Sequence, residues 1–325
     1  MKYIIETFDL TKEFNGLVAV NSINLKVREG EIYGFLGPNG AGKTTTINML
    51  CTLLKPTKGT ALVNGYDILK EPSEVRKSIG IVPQESVLES ELTAMENLKF
   101  HAELYKMPKK EIEERIDECL KLVGLEKRAN DKVATFSGGM RRRLEIVRAF
   151  LHRPKIIIMD EPTVGLDPQT RRRIWEYILN LNKEESVTIF LTTHYMEEAD
   201  FLCHRVGIID FGKLLACDTP ANLKDMLGKG DIIEVEVTEK RKFLKVIASM
   251  KPKVLEDGRI RIVGRGEETI PKIIKAAEKT NTKIIHLSVR EPTLEDVFIH
   301  YTGRAIREST EDIRSKVIIR RFIKG

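Results

Sequence analysis

The chain is patterned as short apolar stretches set off by turn signals, with a helical rhythm in only a few places. Between residues 4 and 27 the stretches are broken by Asn15-Gly16, a pair suited to a tight turn, which predicts strands of an antiparallel edge sheet. Glu31-Ile32-Tyr33-Gly34-Phe35-Leu36 reads as a short buried strand, followed by a glycine-rich loop and a helix starting at Lys43. From residue 93 to about 124, Leu98, Leu104, Ile112, Ile116, Leu120 and Val123 approximate a helical period among Glu and Lys, predicting a mainly helical insert. Apolar, β-branched runs at 155–159, 187–191 and 206–210, with helical stretches between, predict a parallel sheet buried on both faces. Past Gly228-Lys229-Gly230 the order becomes strand, helix, two short strands around Asp257-Gly258, helix, strand, which predicts a ferredoxin-like α+β domain. The expected organisation is therefore residues 1–227 with a helical subdomain at about 86–150, a small domain at 228–303, and a tail at 304–325.

A length of 325 residues suits two domains, and 42% hydrophobic content supplies a core, which excludes disorder and fibrous structure. The 54 Lys and Arg against 48 Asp and Glu leave +6, a mild excess that can serve an anionic partner without demanding one. Cys51, Cys119, Cys203 and Cys217 form no Cys-x-x-Cys pair, so they read as core thiols in a reducing compartment and not as zinc or iron–sulfur ligands. No apolar run approaches the roughly 18–20 residues a bilayer requires. The first residues include Glu6, Asp9, Lys12 and Glu13, where a signal peptide would be continuously apolar. A cytoplasmic protein with no membrane span of its own is expected.

Candidate chemistry sharpens this picture. Gly37, Pro38, Asn39, Gly40, Ala41, Gly42, Lys43 and Thr44, with Thr45 following, match the phosphate-binding loop, whose glycines let backbone N–H groups curl round phosphate oxygens at a helix N-terminus. Its four fixed positions recur by chance in such a chain only on the order of once in a hundred cases, and a strand before and a helix after lower that further. Lys43 is expected on the β/γ-phosphates and the Thr44 hydroxyl on Mg²⁺. Ile156-Ile157-Ile158-Met159-Asp160-Glu161 ends an apolar strand in two carboxylates at the sheet edge where ligands gather. Asp160 can hold Mg²⁺ directly or through water, and Glu161 has the reach to polarise an attacking water.

Between these motifs stands Ser137-Gly138-Gly139-Met140-Arg141, a turn opening a helix. With it the chain resembles the ABC-type (ATP-binding cassette) ATPases over roughly residues 1–225, including Gln84 after Gly80-Ile81-Val82-Pro83, Gly165-Leu166-Asp167, and His194 after Thr192-Thr193, all in the family's order. The resemblance implies a mixed-sheet phosphate-loop cassette with an antiparallel edge sheet and a helical subdomain, binding ATP and Mg²⁺. It implies two cassettes packed head to tail, so that Ser137, Gly138, Gly139 and Met140 of one face the ATP held by the other. It further implies that Glu161 is the catalytic base, that Gln84 senses Mg²⁺ and water, that His194 contacts the γ-phosphate, that Asp167 organises the dimer seam, and that Phe14 stacks on adenine. Met140 departs from the family's usual Gln, removing a side-chain amide but leaving the Ser hydroxyl and backbone donors. Phe136-Ser137-Gly138-Gly139-Met140-Arg141-Arg142-Arg143-Leu144 and the segment from Ser288 to Phe298 resemble the drug-export branch typified by daunorubicin-resistance ATP-binding subunits, extending the match to about residue 303.

The arginine triplets at 141–143 and 171–173 point in three directions on a helix, so they read as solvated or ion-paired faces and no nucleic-acid partner is expected. Residues 304–324 carry seven basic against three acidic side chains, a basic tail. The expectation is the ATPase subunit of an exporter, peripheral on the inner face of the membrane, whose channel belongs to a separate integral permease. The rival is a soluble ABC ATPase acting on ribosomes or nucleic acid. The forms that act on ribosomes usually carry two cassettes and those that act on DNA long coiled coils; this sequence has neither. For the small domain, a dimer brace is the first expectation.

Overall fold

A computed structural model describes residues 2–303 apart from 229 and 256; the basic tail lies outside the described residues. The chain divides into two compact units between Asp218 and Thr219. Among the described residues no helix is long and apolar enough to cross a membrane.

The first unit opens with β1 (Tyr3–Phe14) and β2 (Leu17–Ile23), joined at Asn15-Gly16 with φ of 47° and 83°. Both central residues lie at positive φ, the turn whose twist matches an antiparallel hairpin. With β3 (Lys26–Arg28), β5 (Lys58–Val63) and β6 (Tyr66–Asp67) these strands make the antiparallel sheet expected from the short apolar stretches and the Asn15-Gly16 turn. Between β3 and β5 come β4 (Ile32–Leu36) and α1 (Lys43–Leu50).

After α2 (Pro72–Ser78) and β7 (Ile79–Val82), the helical insert supplies α3 (Ala94–Leu104), α4 (Lys109–Leu122) and α5 (Gly138–Phe150). Helix α3 starts at a reciprocal cap: Thr93 Oγ1 accepts from Glu96 N at 3.1 Å, and the Glu96 carboxylate accepts from Thr93 N at 2.8 Å. The chain then alternates β8 (Ile156–Asp160), α6 (Pro168–Glu185), β9 (Thr188–Thr193), α7 (Met196–Leu202) and β10 (Arg205–Asp210), and ends the unit with β11 (Lys213–Asp218). The second sheet runs β11-β10-β4-β9-β8-β7, parallel throughout except for the β10–β11 hairpin. Every residue of β4, β8 and β9 is buried. Full burial of each large aliphatic side chain contributes about 1.5–3 kcal/mol, so the ends of these strands form a firm edge on which to place chemistry.

The second unit contains α8 (Pro220–Asp225), β12 (Asp231–Val237), α9 (Lys240–Val246), β13 (Lys253–Val254), β14 (Ile260–Gly264), α10 (Gly266–Lys279), β15 (Ile284–Arg290) and α11 (Leu294–Thr302). Its antiparallel order, β13-β14-β12-β15, is the ferredoxin-like topology. Ile233, Val235 and Val237 pack with Phe243, Ile260 and Ile273 on the face of α9 and α10. On the other face Glu234, Arg259, Arg261, Asp296 and Arg290 form a chain of ion pairs. The sequence pattern changes at Gly228, whereas this unit begins at Thr219, because α8 packs against α11.

Candidate active site

The phosphate-loop residues sit where β4 ends and α1 begins. Gly42 precedes α1 at φ 104°, and a Cβ there would collide with the Ala19 carbonyl of β2, so only glycine fits. The helix start has no side-chain cap and no acidic residue in its first turn. Among the described residues, the N–H groups of Gly42, Lys43, Thr44 and Thr45 find no acceptor. That is the donor set a phosphate requires. Asn39, Gly40 and Thr44 are exposed, whereas Gly37, Ala41, Gly42 and Lys43 are buried, Pro38 and Thr45 half-buried.

Lys43 Nζ donates to the Gly37 and Pro38 carbonyls at 2.8 and 3.1 Å and stands 3.1 Å from Glu161 Oε1. Burial pulls the lysine below its ordinary pKa, opposed by the Glu161 and Asp160 carboxylates. Burial pushes Glu161 up, but His194 and Lys43 outweigh it and hold the carboxyl below its usual range. His194 Nδ1 lies 3.1 Å from Glu161 Oε2, at ion-pair distance but out of line for a hydrogen bond, so this buried nitrogen has no hydrogen-bond partner. An incoming phosphate would therefore meet a lysine already engaged by the carboxylate.

Asp160 is held by two threonines: Thr44 Oγ1 donates to Oδ2 at 2.8 Å and Thr192 Oγ1 to Oδ1 at 2.5 Å. A hydroxyl and a carboxylate side by side are hard oxygen donors of the kind Mg²⁺ takes together with phosphate oxygens and waters. The pair thus fits that ion. Glu161, just past β8, has φ 47°, an uncommon conformation for a residue with a Cβ. Its N–H donates to Thr192 O and Oγ1 at 3.2 and 3.1 Å.

Other expected residues stand apart from this cluster. Gln84 is exposed just beyond β7, next to β8 in the sheet, and its side chain makes no hydrogen bond among the described residues. Phe14 is 43% exposed at the hairpin end of β1, with Lys12 Nζ 5.1 Å from its ring centroid. Ser137 caps α5, accepting from Met140 N at 3.3 Å, and Ser137 and Gly138 are exposed. A Cβ on Gly139 would collide with Thr170, which brings this turn against the start of α6. Asp167 is exposed and caps α6, accepting from Thr170 N at 2.9 Å; the Thr170 side chain, and then this N–H, lower its pKa. Among the described residues no hydrogen bond or ion pair joins the Ser137–Met140 turn to the phosphate loop.

A family model described as ABC transporter matches residues 20–164, and one described as ATP-binding protein DrrA1-3-like, C-terminal domain, matches residues 219–302. The linearmycin resistance ATP-binding protein LnrL of Bacillus subtilis is 40% identical over 312 residues, covering 94% of this chain and 100% of that protein. This chain belongs to the ABC transporter ATP-binding proteins. The Nod factor export ATP-binding protein I of Cupriavidus metallidurans is 36% identical, covering 95% of this chain and all of its own length. A dimeric ATP-binding cassette in a post-hydrolysis state bound to ADP and Pi aligns at a TM-score of 0.60 and 32% identity, covering 66% of this chain and 98% of its own. As an ABC transporter ATP-binding protein, the chain is an ATPase subunit of a transporter.

Two buried residues of this ABC protein were not singled out from sequence. Glu198, the second of two adjacent glutamates, accepts from Thr163 Oγ1 at 2.7 Å and Trp175 Nε1 at 2.9 Å, tying the segment after Glu161 to α6 and α7. Its place beside Ala199 and Leu202 on the inner face of α7 was the available signal. The second is Arg142. Expected on a solvated or ion-paired face, it is 7% exposed and bonded mainly to backbone carbonyls. Arg141 and Arg143 point elsewhere, to the Ala134 and Val123 carbonyls, while Arg171 and Arg172 lie over the rings of Tyr195 and Phe201.

Proposed function

We propose that this ATPase powers export through a separate integral membrane subunit, working as a head-to-tail pair of cassettes. The observation that carries the reading is the separation within one chain: Lys43, Thr44, Asp160, Glu161 and His194 converge, while the exposed Ser137 turn makes no hydrogen bond or ion pair with its own phosphate loop among the described residues. A second copy supplies the missing donors to the γ-phosphate at a helix N-terminus. Thr44 and Asp160, with Gln84 moving in, would hold Mg²⁺, which neutralises phosphate charge when bound. Glu161 takes a proton from the attacking water, His194 orients the phosphate, Phe14 carries the adenine and Asp167 meets the partner copy. Export is the direction named for the Nod factor relative, and resistance is named for LnrL. Closure of the pair round ATP, transmitted through the segment after Gln84, would move the membrane path.

The test is recovery of the full-length chain from membranes. Copurification with a membrane subunit of several spans, with Glu161→Gln trapping a dimer in ATP by light scattering, is expected. Recovery on ribosomes, or a Glu161→Gln chain that stays monomeric in ATP and turns it over at the wild-type rate, would overturn the reading.

A further inference from the structure

Arg142 lies on α5, five positions after the Ser137 cap, and its side chain runs into the sheet edge. Its guanidinium has five N–H donors, and five acceptors meet them. Nε donates to Pro162 O at 2.6 Å; Nη1 donates to Pro83 O at 2.7 Å and Glu145 Oε2 at 2.9 Å; Nη2 donates to Asp160 O and Glu161 O, both at 3.2 Å. Glu145, 2% exposed, uses its other oxygen to accept from Val87 N at 3.3 Å. The pair therefore grips the Gln84 segment on both sides, at Pro83 and at Val87. It also pins the peptide that follows Glu161, whose preceding N–H is already held by Thr192.

A buried charge is an expensive way to fill a core, and apolar packing of equal volume is often as stable. What the guanidinium offers instead is a rigid planar fork that fixes several carbonyls at once, which an ammonium cannot do. The carbonyls it fixes belong to Pro83, just before Gln84, and to the three consecutive residues Asp160, Glu161 and Pro162, of which Glu161 has a backbone conformation that needs support. We propose that Arg142 and Glu145 form a positioning latch that couples α5 and the Gln84 segment to the aim of the Glu161 carboxylate. The latch rests on the reading of Glu161 as the base.

In the full-length chain, Arg142→Gln keeps part of the polarity but loses most of the fork. The expected result is a fall in kcat of about 10- to 100-fold, below the roughly 10²–10⁴-fold of full general-base catalysis because the carboxylate is misaimed and not removed, with the ADP affinity by calorimetry within about threefold because the phosphate loop is untouched. Arg142→Lys is not expected to restore kcat; Glu145→Gln, which keeps one acceptor oxygen and turns an amide donor toward the other partner, is expected to lower kcat several-fold, less than Arg142→Gln does. The loss is expected in kcat with the KM for ATP within about threefold of wild type, whereas a role in stability alone lowers the folded fraction and leaves the kcat of the folded chain unchanged. A folded Arg142→Gln chain with kcat within threefold of wild type, or with ADP affinity lost in parallel with kcat, overturns the latch. If Arg142→Gln does not fold, Glu145→Ala decides: a several-fold loss of kcat at unchanged ADP affinity supports the latch, and wild-type kcat overturns it. Glu161→Gln is measured alongside. Wild-type turnover in that variant removes the base assignment itself, and is told apart from failure of the latch because it needs no change at Arg142.

Discussion

Replacing Glu161 by Gln probes the ion pair between Lys43 and Glu161. Lys43 Nζ and Glu161 Oε1 are 3.1 Å apart, with side chains 4% and 8% exposed. At an effective dielectric constant near 20, unit charges at that distance attract by about 5 kcal/mol. That is a ceiling, because the lysine's desolvation opposes it and a glutamine oxygen can still accept a hydrogen bond. The net worth of a hydrogen bond to a charged group, about 1.5–3 kcal/mol, is the better measure of what a phosphate must displace. Removing that competition should tighten ADP binding by about 10- to 150-fold. ADP is the right ligand, since it cannot be turned over and lacks the γ-phosphate expected near His194. Titration calorimetry on the full-length chain with Mg²⁺ and ADP reads the effect, and the same substitution in a Lys43→Met background completes a double-mutant cycle. The tightening should vanish there. Equal affinity in wild type and Glu161→Gln, or the same tightening without Lys43, would refute the idea that the carboxylate and phosphate compete for one ammonium.

The remaining expectations concern groups around the site. Burial, with Arg148 and His152 nearby, lowers the pKa of His101 to about 3, and burial lowers that of His152 to about 4, both from 6.5. The unfolded chain gains these protons first, so stability falls as pH drops from 6.5 towards 4, by up to about 1.4 kcal/mol per pH unit for each histidine; His101→Gln should flatten the melting temperature against pH in that window, and an unchanged slope would count against it. Trp175, the single tryptophan, donates to Glu198, whose carboxyl is pushed above 4.5 by burial. Its fluorescence should titrate with a midpoint above 4.5, and a titration that persists in Glu198→Gln would assign the change to another group.

Sequence legibility followed the range of the interactions involved. The strands and helices of the cassette, the phosphate loop and the carboxylates ending β8 were readable because each is encoded in a few consecutive residues. The second unit's β-α-β-β-α-β order was equally local. Its start at Thr219 was not, since it depends on α8 meeting α11 some seventy residues later in the chain. The cluster at the sheet edge was only partly legible. That Lys43 and Glu161 belong to one site follows from their motifs, but their direct pairing depends on β4 and β8 both flanking β9.

By itself the sequence determined the family, the order of elements and the types of chemical group available, because periodicity and short motifs act through nearest neighbours along the chain. Tertiary structure alone decided which of three consecutive arginines is buried. Successive helix positions diverge by about 100°, so only the docking of α5 on the sheet edge turns Arg142 inward and leaves Arg141 and Arg143 with the Ala134 and Val123 carbonyls. The same reason separates Glu198 from Glu197. Five carbonyl and carboxylate acceptors drawn from three segments, 83, 145 and 160–162, converge on one guanidinium only after the sheet has formed.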